Sequence, residues 1–287
     1  MKFDQYIIEL DNYVSEFYDK DEIPNILKEA VRYSFFAGGK RLRPIFMYSL
    51  VKAAGEDFMK CTPAAAALEM IHTFSLIHDD LPAMDDDDFR RGRLTNHKVY
   101  GEAMAILAGD TLLNDAYLAM TDLKLDPELK LNLIAYLSKC AGSTGMIKGQ
   151  VLDLENTDKE ITISELEEIN INKTSRLLQF AFYTGALIGT KDKEKAMIAS
   201  EAAQLLGVAF QIKDDILDIY GSEEELGKSV GSDKKNKRST YPSLLGKEDS
   251  EMLLKNYINT AKDMLRKINL LSEEIEYLCD FINLRTK

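Results

Sequence analysis

Apolar residues along the chain recur at helical steps. Leu253, Tyr257, Ala261, Met264 and Ile268 follow one another by four, four, three and four positions, and after a break at Asn269 the set Leu271, Ile275, Leu278 and Ile282 repeats the rhythm. Stretches of the same kind cover residues 3–18, 23–37, 41–55, 62–80, 98–121, 127–155, 163–187 and 192–220. No Val/Ile-rich alternating run bounded by turns interrupts them, so no strand is expected. Segments 157–164 and 189–193 read as short polar connectors, and no linker or internal repeat divides the chain. The pattern predicts a single all-α domain over residues 1–287, a helical bundle. Composition agrees: 16 glycines and 6 prolines in 287 residues fall below an average share of about 12%, leaving few residues for strand-joining turns.

The formal charge is −12, from 36 Lys+Arg against 48 Asp+Glu. With no basic tail, the chain is not expected to bind nucleic acid, whose phosphates require clustered Lys and Arg, nor an anionic membrane surface. Cys61, Cys140 and Cys279 are far apart and form no CxxC or Cys/His cluster, which points to reduced buried thiols and a cytoplasmic protein. Charges run through the apolar residues of the N-terminus, unlike a signal peptide. No apolar run approaches the roughly 20 residues that span a bilayer, so no stable membrane insertion is expected.

Candidate chemistry begins at His78-Asp79-Asp80-Leu81-Pro82-Ala83-Met84-Asp85-Asp86-Asp87-Asp88-Phe89-Arg90-Arg91-Gly92. Two like charges about 4 Å apart repel by roughly 4 kcal/mol at an effective dielectric near 20, so a run of six carboxylates calls for a compensating cation. Oxygen-rich donors suit a hard ion such as Mg²⁺. The preceding segment, Ala64 to Ile77, is apolar on nearly every face and would deliver Asp79 and Asp80 from a core helix. Pro82 then interrupts the helix, which lets Asp85 turn back towards Asp79. A charge run is more often a solvated loop, and on this segment alone the two readings stand side by side.

A second acidic group favours the metal reading. In Phe210-Gln211-Ile212-Lys213-Asp214-Asp215-Ile216-Leu217-Asp218, Gln211, Asp214 and Asp218 share one helical face, on a helix otherwise apolar. Basic residues accompany both groups. Lys40 and Arg43 of Gly38-Gly39-Lys40-Arg41-Leu42-Arg43-Pro44 lie three apart, just after a glycine pair that lets backbone approach a ligand. Arg90 and Arg91 follow the first cluster, Lys173 precedes Thr174, and Lys228 with Lys234, Lys235, Lys237 and Arg238 follows the second. Each pair alone is ordinary surface chemistry. Together they suggest two phosphorylated groups, one held through metal and one by cations alone.

GGKRLRP, HTFSLIHDDLPAMDDDDFRRG, GDTLL, KTS, FQIKDDILD and GKSVGSD…STYP appear in the order and spacing of the short-chain trans-prenyl diphosphate synthases, and the chain resembles the bacterial farnesyl diphosphate synthase type from about residue 25 to 245. That resemblance implies an all-α bundle around a deep central cavity (the isoprenoid synthase fold), a homodimer, three Mg²⁺ ions, and elongation of an allylic diphosphate by isopentenyl diphosphate. It also implies roles for residues. Asp79 and Asp85 ligate Mg²⁺ with Asp80 in support; Asp214 is the principal second ligand, supported by Asp215 and Asp218. Gly39, Lys40, Arg43, His72 and Arg91 hold isopentenyl diphosphate, Arg90, Lys173 and Lys228 hold the allylic diphosphate, and Thr174 and Gln211 face the reacting carbons. Relatives carry Gly-Lys before Ser-Thr-Tyr-Pro where this chain has Lys237-Arg238, so a lysine or an arginine supplies the closing cation here.

Product length follows from what lies below the metals. At 1.5 Å rise per residue, Phe74 and Ser75 lie roughly 6–8 Å deeper than Asp79. An aromatic ring there, with the Pro82-Ala83 insertion, resembles enzymes that stop at C15; a smaller residue resembles those that reach C20. The C20 synthase is the alternative. A His/Asp phosphohydrolase would need more than three histidines supply, and a silent regulatory subunit has no need of intact aspartate clusters. A terpene cyclase has no use for a second, cation-only diphosphate pocket.

Overall fold

Small residues decide how the helices of this protein meet. The structure is a computed structural model that describes residues 3–220 and 239–285, and the chain divides into two compact units, Met1–Tyr48 with Asp57–Ile134 and Ser49–Glu56 with Ala135–Lys287. Sequence reading expected one domain.

The first unit holds α1 (Asp4–Phe17), α2 (Asn25–Phe35), the start of α3 (Leu42–Ala53), α4 (Thr62–Asp79), a hairpin of β1 (Phe89–Arg90) and β2 (Arg93–Leu94), α5 (Asn96–Tyr100), α6 (Glu102–Met120) and the start of α7 (Pro127–Ala141). Helix α4 is buried on nearly every face, from Ala64 through Ala67 to Leu68, Met70, Ile71, Phe74 and Ile77; each of these five large side chains contributes on the order of 1.5–3 kcal/mol by leaving water. It packs on α6, which buries the small residues Ala105, Ala108, Gly109, Ala116 and Ala119 together with Leu112 and Met120. At Gly109 a β-carbon would run into the His78 ring, and that ring lies 3.1 Å (Nε2) from the Ile106 carbonyl oxygen. His78 therefore pegs α4 to α6.

In the second unit are α8 (Met146–Glu155), α9 (Ile163–Asn170), a π-turn (Ile171–Ser175), α10 (Arg176–Thr190), α11 (Lys193–Tyr220), α12 (Tyr241–Leu245), α13 (Lys247–Lys267) and α14 (Glu273–Leu284). A Thr162/Glu165 capping box starts α9, each residue satisfying the other's backbone amide. Helix α11 packs on α10 and α13, burying Ala196, Ala199, Ala202, Ala203 and Leu206 in sequence.

Several boundaries differ from the hydrophobic pattern. Gly101, at φ 85°, separates α5 from α6, and Gly142 to Gly145 split the expected 127–155 helix. At Gly145 a β-carbon would collide with the Cys140 and Lys139 carbonyls. The buried stripe of α13 runs through Leu254, Ile258, Ala261 and Leu265; it shares Ala261 with the predicted stripe, lies one position from predicted Leu253, Tyr257 and Met264, and is followed by buried Ile268 as predicted, and the predicted break falls at Asn269 with φ 60°. A strand pair also stands where none was expected. All three cysteines are free and buried.

Replacing Gly109 by alanine forces its methyl into His78. This should cost about 1–3 kcal/mol by overpacking, read as a lower urea midpoint with an unchanged slope; no change would show that α4 and α6 can separate freely.

Candidate active site

In the first unit the site grows from the C-terminus of α4. Asp79 is its last residue, and after Pro82 the chain folds back so that the Asp85 amide donates to the Asp79 carbonyl over 2.8 Å. Asp80, by contrast, is buried and accepts from Arg90 through Nε at 2.7 Å and Nη2 at 2.6 Å. Burial pushes the Asp80 carboxyl above its usual range while Arg90 pulls against it. Burial likewise opposes the charge on Arg90, but Asp80 outweighs it and holds the guanidinium above its ordinary value. Asp80 thus sits beneath Arg90.

Arg90 and Arg91 reach the site on the hairpin, which pairs Phe89 with Leu94 and Arg90 with Arg93. Its turn residues Arg91 and Gly92 have φ 54° and 75°, the paired left-handed conformation of a tight type I′ turn. The Arg91 guanidinium donates to the Gly38 carbonyl. A β-carbon at Gly39 would lie 2.6 Å from Arg91 Cζ, a side-chain end that can shift, but φ of 123° there is a backbone conformation that requires glycine. Beside it, Arg41 at φ 49° turns inward, donates to the Phe35 carbonyl and pairs with buried Glu69 at 2.7 Å. Anchored in this way, the loop leaves Lys40 exposed and Arg43 half-exposed. His72 of α4 feels Arg43, Arg91, Arg41 and Arg90; burial first, then these charges, press its pKa well below the usual histidine range. Both effects favour the uncharged imidazole.

Phe74 is buried, its ring edge-on to His78 at 5.5 Å between centroids, and Ser75 donates to the His72 carbonyl at 2.9 Å.

The second unit carries its residues on α8, the π-turn and α11. Lys173 and Thr174 lie in the π-turn, a device that often marks functional positions because the extra residue shifts side chains out of α-helical register. Lys173 Nζ is 2.6 Å from Asp153 Oδ2. Thr174 Oγ1 stands 3.5 Å from Gln211 Oε1, and Gln211 Nε2 donates to Asp215 Oδ1 at 2.9 Å. The other oxygen of Asp215 accepts the Tyr241 amide at 3.0 Å, so Asp215 is held inside the protein. Asp218 is buried as well. Asp214 stays more open and pairs with Arg285 Nη1 at 2.7 Å; Arg285 also donates to the Phe210 carbonyl at 2.6 Å and lies 3.7 Å over the Phe210 ring. Lys228, Lys234, Lys235, Lys237 and Arg238 lie outside the described residues.

Among the described residues no three His, Cys, Asp or Glu side chains form a ready-made metal cage. Oxygen donors supplied one or two at a time fit Mg²⁺, which is held by a carboxylate or two and completed by substrate phosphates and water. Sequence reading missed the partners of the site: Arg41, Glu69, Asp153 and Arg285. Glu69 sits three residues before His72 on a helix read as apolar, and nothing in the residues near Arg285 links it to Asp214. No described helix is long and apolar enough to cross a membrane.

The polyprenyl synthetase family matches residues 24–275. A farnesyl diphosphate synthase of Geobacillus stearothermophilus is 47% identical over 275 residues, covering 95% of this chain and 93% of its own. The crystal structure of geranylgeranyl pyrophosphate synthetase from Pyrococcus horikoshii superposes with a TM-score of 0.87 at 30% identity over 99% of this chain and 100% of the other. A geranyltransferase from Helicobacter pylori, in complex with magnesium and isoprenyl diphosphate, gives 0.82 at 27% identity over 98% and 97%. The fold is the all-α fold of the isoprenyl diphosphate synthases.

A depressed His72 pKa fixes a sign. The unfolded chain binds this proton more readily than the folded one, so the stability it confers is present above roughly pH 6.5 and is lost as pH falls below that. Urea midpoints measured stepwise from about pH 7 to 5 should fall less steeply for His72→Gln than for the parent protein; equal slopes would show that His72 is not held neutral.

Proposed function

The chain belongs to the polyprenyl synthetase family, and from that premise we propose that it is a Mg²⁺-dependent trans-prenyltransferase, condensing isopentenyl diphosphate with dimethylallyl and geranyl diphosphate to give (E,E)-farnesyl diphosphate. The observation that carries the reading is the turn of Asp85 onto Asp79, 2.8 Å between amide and carbonyl, beside two arginines on a hairpin. It joins metal-type donors to diphosphate-type donors on one short segment.

In this reading Asp79 and Asp85 of the first unit and Asp214 of the second hold Mg²⁺, with Asp80, Asp215 and Asp218 behind them. Bound Mg²⁺ supplies charge neutralisation to the departing diphosphate. Arg90 and Lys173 bind the allylic diphosphate, joined by Lys228 and by Lys237 or Arg238. Lys40, Arg43 and Arg91 bind the diphosphate of isopentenyl diphosphate, and neutral His72 adds a hydrogen bond without adding charge. Gly39 gives Arg91 room. The allylic C–O bond ionises, the double bond of isopentenyl diphosphate attacks the carbocation, and the departed diphosphate accepts the proton lost. Thr174 Oγ1 and the Gln211 carbonyl oxygen present lone pairs to the developing cation. No side-chain nucleophile is called for.

The protein acts as a homodimer in this reading. Helix α6 supports it by exposing Ile106, Leu107 and Leu118 at 43%, 52% and 52%, side chains that a partner would cover. Sedimentation velocity should give a species of twice the chain mass; a monomer at assay concentration would overturn the pairing.

Phe74 supports C15 over C20, being a rigid ring five residues, roughly 7 Å, before Asp79. Incubation with isopentenyl and dimethylallyl diphosphates, followed by mass spectrometry, should yield mainly C15, and Phe74→Ala should lengthen the product. A predominant C20 product would overturn the length assignment, and phosphate release without isopentenyl diphosphate would overturn the reaction itself.

A further inference from the structure

Helix α8 offers the π-turn two things one helical turn apart. At Gly149 there is no side chain, and a β-carbon there would strike the backbone of Lys173 itself. At Asp153, on the same helical face, a carboxylate with only 13% of its side chain exposed lies 2.6 Å from the Lys173 ammonium. From the other side, Gly207 of α11 admits Ser175, which a β-carbon would likewise strike, and the Ser175 hydroxyl donates to the Gln204 carbonyl at 3.1 Å. Backbone contacts thus fix the turn, but they leave the four-carbon lysine stem free.

We propose that Asp153 is the positioning residue for Lys173, setting the ammonium where it meets the allylic diphosphate; this rests on the assignment of Lys173 above. Such a pair does not consume the lysine. An ammonium has three donors, so one hydrogen bond to Asp153 leaves two for phosphate oxygens. Holding the stem in advance removes rotamer freedom that binding would otherwise have to quench. The exposure of Lys173, 27% of its side chain, leaves the ammonium reachable by ligand.

The test is a double-mutant cycle of Asp153→Asn and Lys173→Ala in the full chain. Steady-state kinetics are combined with calorimetric binding of inorganic pyrophosphate in Mg²⁺, and circular dichroism checks the fold. Asp153→Asn should raise KM for geranyl diphosphate about tenfold and weaken pyrophosphate binding in proportion, with KM for isopentenyl diphosphate within about twofold. Asp153→Glu, which keeps the charge, should recover most of the loss. In the Lys173→Ala background, Asp153→Asn should add nothing. Additive losses, or an impaired Lys173→Ala beside an unimpaired Asp153→Asn, would overturn the positioning role and leave the lysine assignment standing. A Lys173→Ala protein with unchanged KM for geranyl diphosphate would overturn the lysine assignment, and this role with it.

Discussion

A carboxylate drawn out of water gains from a counter-charge within a few ångström, and four carboxylates of the candidate residues have one. Asp80 lies under Arg90, Glu69 under Arg41, Asp153 beside Lys173 and Asp214 beside Arg285. Removing one partner of a buried pair costs about 3–5 kcal/mol, a large part of the roughly 5–15 kcal/mol by which folded proteins exceed unfolded ones. Pairing is therefore a condition for folding before it is a condition for catalysis. The same pairs carry functional geometry. Arg41 ties down the Gly38–Arg41 loop ahead of α3, Arg90 covers Asp80, and Asp153 holds a lysine whose ammonium would otherwise swing on a long stem.

Close packing by small residues is what puts these charges in place. Gly109 admits the His78 ring at the end of α4, where the first aspartates begin, and Gly149 and Gly207 admit the π-turn that bears Lys173 and Thr174. Gly39 admits the Arg91 guanidinium. At each of these points a glycine sits against a residue of the site or its neighbour. A single methyl there would press on the His78 ring, the π-turn or the Arg91 guanidinium, and positioning governs how well a polar site acts on its substrate.

Much of this was legible in the residues. The helical period, the two aspartate groups and the basic residues following them could all be read along the chain, because each is a local pattern of residue types. The hairpin was not: Phe89 to Leu94 is too short to alternate, and Arg-Gly is a weaker turn signal than Asn-Gly. The π-turn at Lys173 was equally silent, since one extra residue in a helical turn leaves no mark on an apolar period once α8 and α11 pack around it. The buried stripe of α13 differs by one residue at Leu254, Ile258 and Leu265 and coincides at Ala261, within the width of an apolar face.

By itself, then, the sequence determined the fold class, the residue types of the chemistry and the family they resemble, since these depend on composition and on spacings of a few residues. Tertiary structure alone decided which charge neutralises which. Asp214 and Arg285 are 71 positions apart and Arg41 and Glu69 are 28 apart. No local pattern relates such residues. Coulombic energy depends on distance through space, and that distance exists only once the helices have packed.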